Sequence, residues 1–192
     1  MSVRAIATVG HPVLRERARE VSREELASPP VQRLIDDMID TMRAANGAGL
    51  AANQVHETLR IAVVEVRPGN PRYPYKPPVP LTVIVNPEIE PLDGETAQIN
   101  EGCLSVPDLR GTVDRHVNVR VRYLDRDGAE HEEVRRGLTA GTFQHEVDHL
   151  DGILFLDRVR DPATFTTWEQ FERHHRDAFV ALAKAIVARV GS

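Results

Sequence analysis

His145-Glu146-Val147-Asp148-His149 puts two imidazoles and two carboxylates within five residues. On an α-helix of about 3.6 residues per turn, His145 and His149 stand one turn apart on one face, so their ring nitrogens can converge on a single ion. Glu146 lies about a quarter turn round, where its carboxylate can handle protons on water polarised by that ion. Two histidines four apart are often only a polar helix face; the glutamate makes the pattern His-Glu-x-x-His, a divalent-metal signature. A catalytic divalent ion usually takes three protein ligands and leaves a position for water, so this helix is one ligand short. The one cysteine, Cys103, is the leading candidate for the third. A lone cysteine is most often a small buried apolar residue, and it can form no intramolecular disulfide.

The element carrying the pair is expected from about Leu138 to Leu150, with Gly152 as its C-cap. Leu138 and Gly141, seven and four residues before His145, face the same way and are candidates for a substrate-pocket wall. Upstream, Leu34, Ile35, Met38, Ile39 and Met42 give one apolar stripe on a helix from Val31 to about Ala45, ended by Asn46-Gly47. The next stretch, Leu50 to Gln54, is unusually apolar for a loop, as expected of backbone held close against something. Ile61 to Val66 and Thr82 to Val85 read as strands. Between them, residues 67–80 carry six prolines and read as a proline-stiffened surface excursion. His116 to Leu124 alternates like a half-buried antiparallel strand, Asp125 to Gly128 supplies the turn, and Glu130 to Arg136 returns as its partner. The chain is expected to end in one long helix starting near Thr166 or Thr167, its stripe formed by Trp168, Phe171, His175, Phe179, Leu182 and Ile186.

A chain of 192 residues without a long low-complexity tract reads as one domain, 1–192, with a helical tail from about 164. Its 24 Lys+Arg against 29 Asp+Glu argue against a general nucleic-acid binder, so no direct DNA partner is expected. No apolar run of about 18 residues exists and the N-terminus lacks a signal-peptide core, so no membrane association is expected and the location reads as cytoplasmic.

Three segments, in order, carry the chemistry: Gly47-Ala48-Gly49-Leu50-Ala51-Ala52-Asn53-Gln54, Glu101-Gly102-Cys103-Leu104-Ser105, and Gln144-His145-Glu146-Val147-Asp148-His149-Leu150-Asp151-Gly152. Together they resemble the three signature motifs of the peptide deformylases, and the resemblance extends from Gly10-His11-Pro12 to about Arg160. It implies an α+β fold with antiparallel β-sheets packed around a central metal-binding helix, followed here by a C-terminal helix. It also implies removal of the formyl group from formyl-methionine of newly made polypeptides, releasing formate. By position, Cys103, His145 and His149 would ligate one divalent metal, Fe(II) in the family, with Zn, Ni or Co able to replace it. Glu146 would carry the proton. The Gln54 amide and the Leu104 backbone N–H would steady the oxyanion.

The same resemblance pairs Glu101 with Arg115 as a brace for the cysteine segment. It gives Gly49, Gly102 and Leu104 backbone groups to an extended peptide, and puts Arg110 near the peptide entrance. The expected partners are N-formyl-methionyl nascent peptides, with the ribosome near its tunnel exit as a candidate site of work. The chain departs from the family at Asn53, where proline is common, and at His56, where glycine is common. Gly141 stands where bulkier residues are common, from which a roomier pocket is expected. Two other readings share these residues. A zincin-like metallopeptidase would take its third ligand downstream, at His174 or His175, and a catalytically silent relative would keep the ligands without the chemistry.

Overall fold

The computed structural model describes residues 2–70 and 75–192. Helices α1 (Arg23–Leu26) and α2 (Pro29–Ala44) precede strands β1 (Gly49–Ala51), β2 (Ile61–Val66), β3 (Val79–Pro91), β4 (Thr96–Cys103), β5 (Val106–His116), β6 (Asn118–Leu124) and β7 (Glu130–Arg136). Helices α3 (Gly137–Leu150), α4 (Phe155–Arg158), α5 (Trp168–His174) and α6 (Arg176–Val190) complete the chain. All strand pairings are antiparallel: a five-stranded sheet in the order β1-β2-β3-β6-β7, and a two-stranded ribbon of β4 and β5.

The uninterrupted apolar run of β2 reflects burial on both faces. Ile61 and Val63 meet the α2 stripe of Leu34, Ile35, Met38 and Met42, whereas Ala62 and Val64 face Ala140 and Phe143 of α3. Phe143 is wholly buried, worth about 1.5–3 kcal/mol relative to an exposed ring. Helix α3 thus lies against the five-stranded sheet on one side and touches β4, β5 and α6 as well. Its sequence keeps the metal-site residues on the flank turned away from Ala140 and Phe143, and Gly152 ends it with φ of 74°. A side chain there would also run into the Arg15 carbonyl.

Several elements differ from the expected pattern. The apolar stretch after α2 is a short strand, β1, followed by a 3-10 turn over Ala52–Val55. Strand β3 runs for 13 residues rather than four, accommodating Pro87 at a register shift beside Asn86, whose φ is 50°. Such a bulge lets a strand carry a proline that an unbroken ladder would not. Of the excursion at 67–80, residues 71–74 lie outside the described residues. The strand expected over His116–Leu124 is split at Val117: β5 ends at His116 and β6 begins at Asn118.

The single terminal helix is two helices. The break falls at His175, with φ −122° and ψ −19°, and it resets the helical phase. Phe171, Phe179, Ala183 and Ile186 therefore point inward, while His175 and Leu182 are exposed. Thr167 caps α5, its Oγ1 accepting from the Gln170 N–H at 3.2 Å. Among the described residues no helix is long and apolar enough to cross a membrane.

Candidate active site and metal centre

Three elements meet at the site. Helix α3 presents His145, Glu146 and His149; the end of β4 presents Glu101 and Cys103; and the β1 segment presents Gly49 and Gln54. The ligand atoms of Cys103, His145 and His149 lie within 4.8 Å of one another, and Cys103 Sγ is 3.2 Å from His149 Nε2. A tetrahedral ion with ordinary metal–sulfur and metal–nitrogen lengths wants its donors about 3.6 Å apart, so this mixed sulfur–nitrogen set fits a divalent transition metal. Cys103 and His149 are buried, 3% and 1% exposed.

Electrostatics couple the donors to one another and to Glu101. Burial alone would raise the Cys103 thiol, but His149 and His145 outweigh it and hold the thiol well below its ordinary value, as a thiolate ligand requires. Burial would lower His145; hydrogen bonds to Cys103 and Glu101 reverse this and hold it well above its usual range. Glu101 Oε2 sits 2.8 Å from His145 Nδ1, fixing the ring so that the other nitrogen faces the cysteine. Glu101 in turn accepts from Arg115 Nε at 2.8 Å and Nη2 at 3.0 Å, a bidentate pair with both partners buried. Desolvation would raise the Glu101 carboxyl, and Arg115 with His145 keeps it well below the ordinary carboxylate range. Asp148 accepts from Arg115 Nη1 at 2.6 Å and from Arg158 on α4. It therefore orients no histidine directly; it extends the Glu101–Arg115 brace to the surface.

Glu146 is 3% exposed, and one of its oxygens, Oε2, is buried without a hydrogen-bond partner. Burial pushes its carboxyl above the ordinary range. Its other face lies so close to Gly49 that a Cβ there would be 2.3 Å from Oε1. Gln54 is held at both ends: its Oε1 accepts from the Ala51 N–H at 2.9 Å, and its Nε2 donates to Ser105 Oγ at 3.0 Å and to Cys103 Sγ at 3.6 Å. The two departures at this loop are accommodated. Asn53 Nδ2 donates to the Glu16 carbonyl at 2.7 Å, and His56 adopts the left-handed conformation, φ 66°, that a glycine takes without strain.

A cavity opens beside Glu146, lined by Gly49, Gln54, Gly102, Cys103, Leu104, Leu138, Gly141 and His145 among others. Of the residues expected at the substrate, Arg110 is the exception. It is fully buried and packed against both the Trp168 and Phe171 rings, its guanidinium carbon 4.1 Å from each centroid. Its Nε donates to Asn100 Oδ1 at 2.7 Å, so it buttresses β4 from behind the aromatic pair and is no open contact at a peptide entrance.

Nor is the pocket roomier at Gly141: a Cβ there would meet Ile99 Cδ1 at 2.8 Å, so Ile99 fills the space that a larger residue would occupy. Ser105, Ile99 and Lys76 join the site without having been singled out from sequence. Ser105 stood inside a motif but had no role; Ile99 and Lys76 arrive through pairings and an excursion that carry no pattern. Lys76 Nζ donates to Thr142 Oγ1 at 2.9 Å, and desolvation brings its pKa down to about 8.

A family model described as polypeptide deformylase matches residues 3–164. The chain is 42% identical over 165 residues to the peptide deformylase of Leptospira biflexa, covering 86% of this chain and 92% of that one. It is 47% identical over 161 residues to that of Heliobacterium modesticaldum, covering 84% and 97%. A class I type b peptide deformylase from Acinetobacter baumannii, solved with Met-Ala-Ser bound, superposes with a TM-score of 0.79 at 46% identity over 83% of this chain and 100% of that one.

Proposed function

The chain belongs to the polypeptide deformylase family, and we propose that it hydrolyses the N-terminal formyl group of polypeptides beginning with formyl-methionine, releasing formate and a free amine. One observation carries the reading. A buried carboxylate with an unpartnered oxygen, Glu146, shares a cavity with the Cys103/His145/His149 donor set and the Gln54 amide. A structural helix face needs neither an unpaired buried oxygen nor a non-titrating amide pinned beside a thiolate.

Cys103, His145 and His149 would hold the ion; Fe(II) is our assignment for the native metal, with Zn, Ni or Co as substitutes the same donors accept. Such an ion, when bound, lowers the pKa of a water towards about 7 and polarises a carbonyl oxygen. Glu146 takes the proton of the attacking water and hands it to the departing amine, one carboxylate serving both steps. The Gln54 side-chain amide and the Leu104 backbone N–H donate to the oxyanion, Gln54 exchanging its bond to Ser105 for one to substrate. Gly49 and Gly102 leave room for an extended peptide, and Leu138 with Ile99 and Gly141 walls the pocket for its first side chain. Glu101 and Arg115 keep His145 in place. We take residues 1–192 as one catalytic unit that works in the cytoplasm on chains leaving the ribosome.

Formate release from formyl-Met-Ala-Ser, assayed anaerobically with Fe(II)-loaded protein and with Glu146→Ala carrying the same metal, tests this. Turnover by the first and none by the second supports both the activity and the role of Glu146. Metal-loaded wild type that releases no formate leaves the silent-relative reading standing. Cleavage of unformylated peptide instead would favour a metallopeptidase, although His174 and His175 are exposed on the tail and Cys103 completes the donor set among the described residues.

A further inference from the structure

The far wall of the cavity does not come from the segment that the family model matches. That match ends at Thr164, yet Phe179, on α6, lines the same cavity as Leu138, Thr142 and Glu146. The ring is 7% exposed and held from two sides. It meets Tyr75 edge to face, centroids 5.1 Å apart at 88°, and Phe171 at 5.9 Å. Phe171 is itself fixed against Arg110, which donates to Asn100 on β4 and, through Nη2, to the Tyr75 hydroxyl at 3.4 Å. Ala183, one turn along α6, is completely buried behind it. A wall so braced is rigid.

The space it bounds is small. The cavity holds about 40 Å³, room for about three waters. That space is narrow, and it is shared with the reacting groups Glu146 and Gln54. On its other side the same Phe179 ring borders a second hollow of about 390 Å³, which also touches Asn100, Phe171 and Leu182. Phe179 and Asn100 line both, so the Phe179 ring helps to separate the narrow catalytic cavity from a larger space.

We propose that Phe179 is a specificity-determining residue: by separating these two spaces, the C-terminal tail restricts the first side chain of the substrate to an unbranched one the size of methionine. The proposal rests on the deformylase reading for the identity of the cavity's occupant. Replacing the ring with a methyl group removes on the order of 100 Å³ of side chain and joins the pocket to the hollow.

The test compares Fe(II)-loaded wild type, Phe179→Ala and Phe179→Leu on formyl-Met-Ala-Ser and formyl-Phe-Ala-Ser, with Lys184→Ala on the exposed side of α6 as control. Binding of the product peptides Met-Ala-Ser and Phe-Ala-Ser is measured in parallel by calorimetry. In Phe179→Ala the Phe/Met ratio of kcat/KM, and of affinity, is expected to rise about 10- to 100-fold, within what pocket size alone commonly discriminates. Phe179→Leu falls between, and Lys184→Ala matches wild type. A general loss of packing would depress both substrates together and leave the ratio alone. If the ratio stays within about twofold in Phe179→Leu, or in Phe179→Ala that still binds metal, the proposal is overturned. If wild type releases no formate, the deformylase reading falls, and the product-peptide affinities still decide whether Phe179 sets the pocket.

Discussion

Gly49→Ala tests the geometry of the site most directly, because it adds one methyl group against one catalytic side chain. The new Cβ would lie 2.3 Å from Glu146 Oε1, 2.5 Å from Cδ and 2.8 Å from Cγ, where carbon contacts ordinarily sit at about 3.5 Å or more. Gly49 is outside the left-handed region, so alanine brings no backbone strain, and the added methyl is aimed at Glu146. To restore contact distance the carboxyl must retreat by about 1 Å, and a misplacement of that size in a reacting group costs roughly 100-fold in rate. That corresponds to about 2.7 kcal/mol of transition-state stabilisation. Thermal stability should change little, because removing glycine from the unfolded ensemble gains about 0.4–1 kcal/mol against the local crowding. The assay is kcat/KM for formate release at matched metal content, with Gly94→Ala, where nothing lies within 4 Å of the added methyl, as control. If Gly49→Ala retained more than a third of wild-type kcat/KM with its metal bound, Glu146 could not be the proton carrier in the position described.

Gln54→Ala removes an oxyanion donor and should lower kcat by about 10²–10³-fold, with metal content unchanged by elemental analysis. Arg115→Met removes the cation shared by the buried carboxylates, leaving Glu101 with only His145 and Asp148 with only Arg158. It should cost about 3–5 kcal/mol in denaturant unfolding and weaken metal retention in chelator competition, as the brace on His145 goes. The Arg43–Glu65 pair at 2.7 Å ties α2 to β2, and Arg43 holds the Glu65 carboxyl below its ordinary pKa. A depressed folded pKa stabilises above the unfolded value and is lost as pH falls. Glu65→Gln should therefore be less stable than wild type by up to about 1 kcal/mol at pH 7, and the two melting temperatures should converge below about pH 4. Stripping the metal with a chelator should abolish formate release, and Fe(II) added back without oxygen should restore it.

Much of the site was legible because its parts are local. The i, i+4 spacing of His145 and His149 needs only a helix to bring them together, and the helix formed where periodicity and Gly152 placed it. The α2 stripe and the β6–β7 hairpin followed from periods of about 3.6 and 2 for the same reason. The three ordered motifs gave Cys103, Gln54 and Leu104 their places, and the fold brings them to one cavity.

What no local pattern could decide was settled by long-range pairing. The β4–β5 ribbon stacks Gly102 against Arg110 in register, and the tail then buries Arg110 under Trp168 and Phe171; a cation expected at an entrance becomes a buttress. Gly141 on α3 promised space that Ile99 fills from β4. The stripe drawn through the tail assumed an unbroken helix; Phe171, Phe179 and Ile186 of it do face inward, while the break at His175 leaves His175 and Leu182 exposed and buries Ala183, and only packing puts Phe179 at the pocket. Residue type and spacing fix which groups can do chemistry and which lie on one face. The shape and limits of the space they act in depend on contacts between residues distant in sequence, whose energies appear only once the chain has packed.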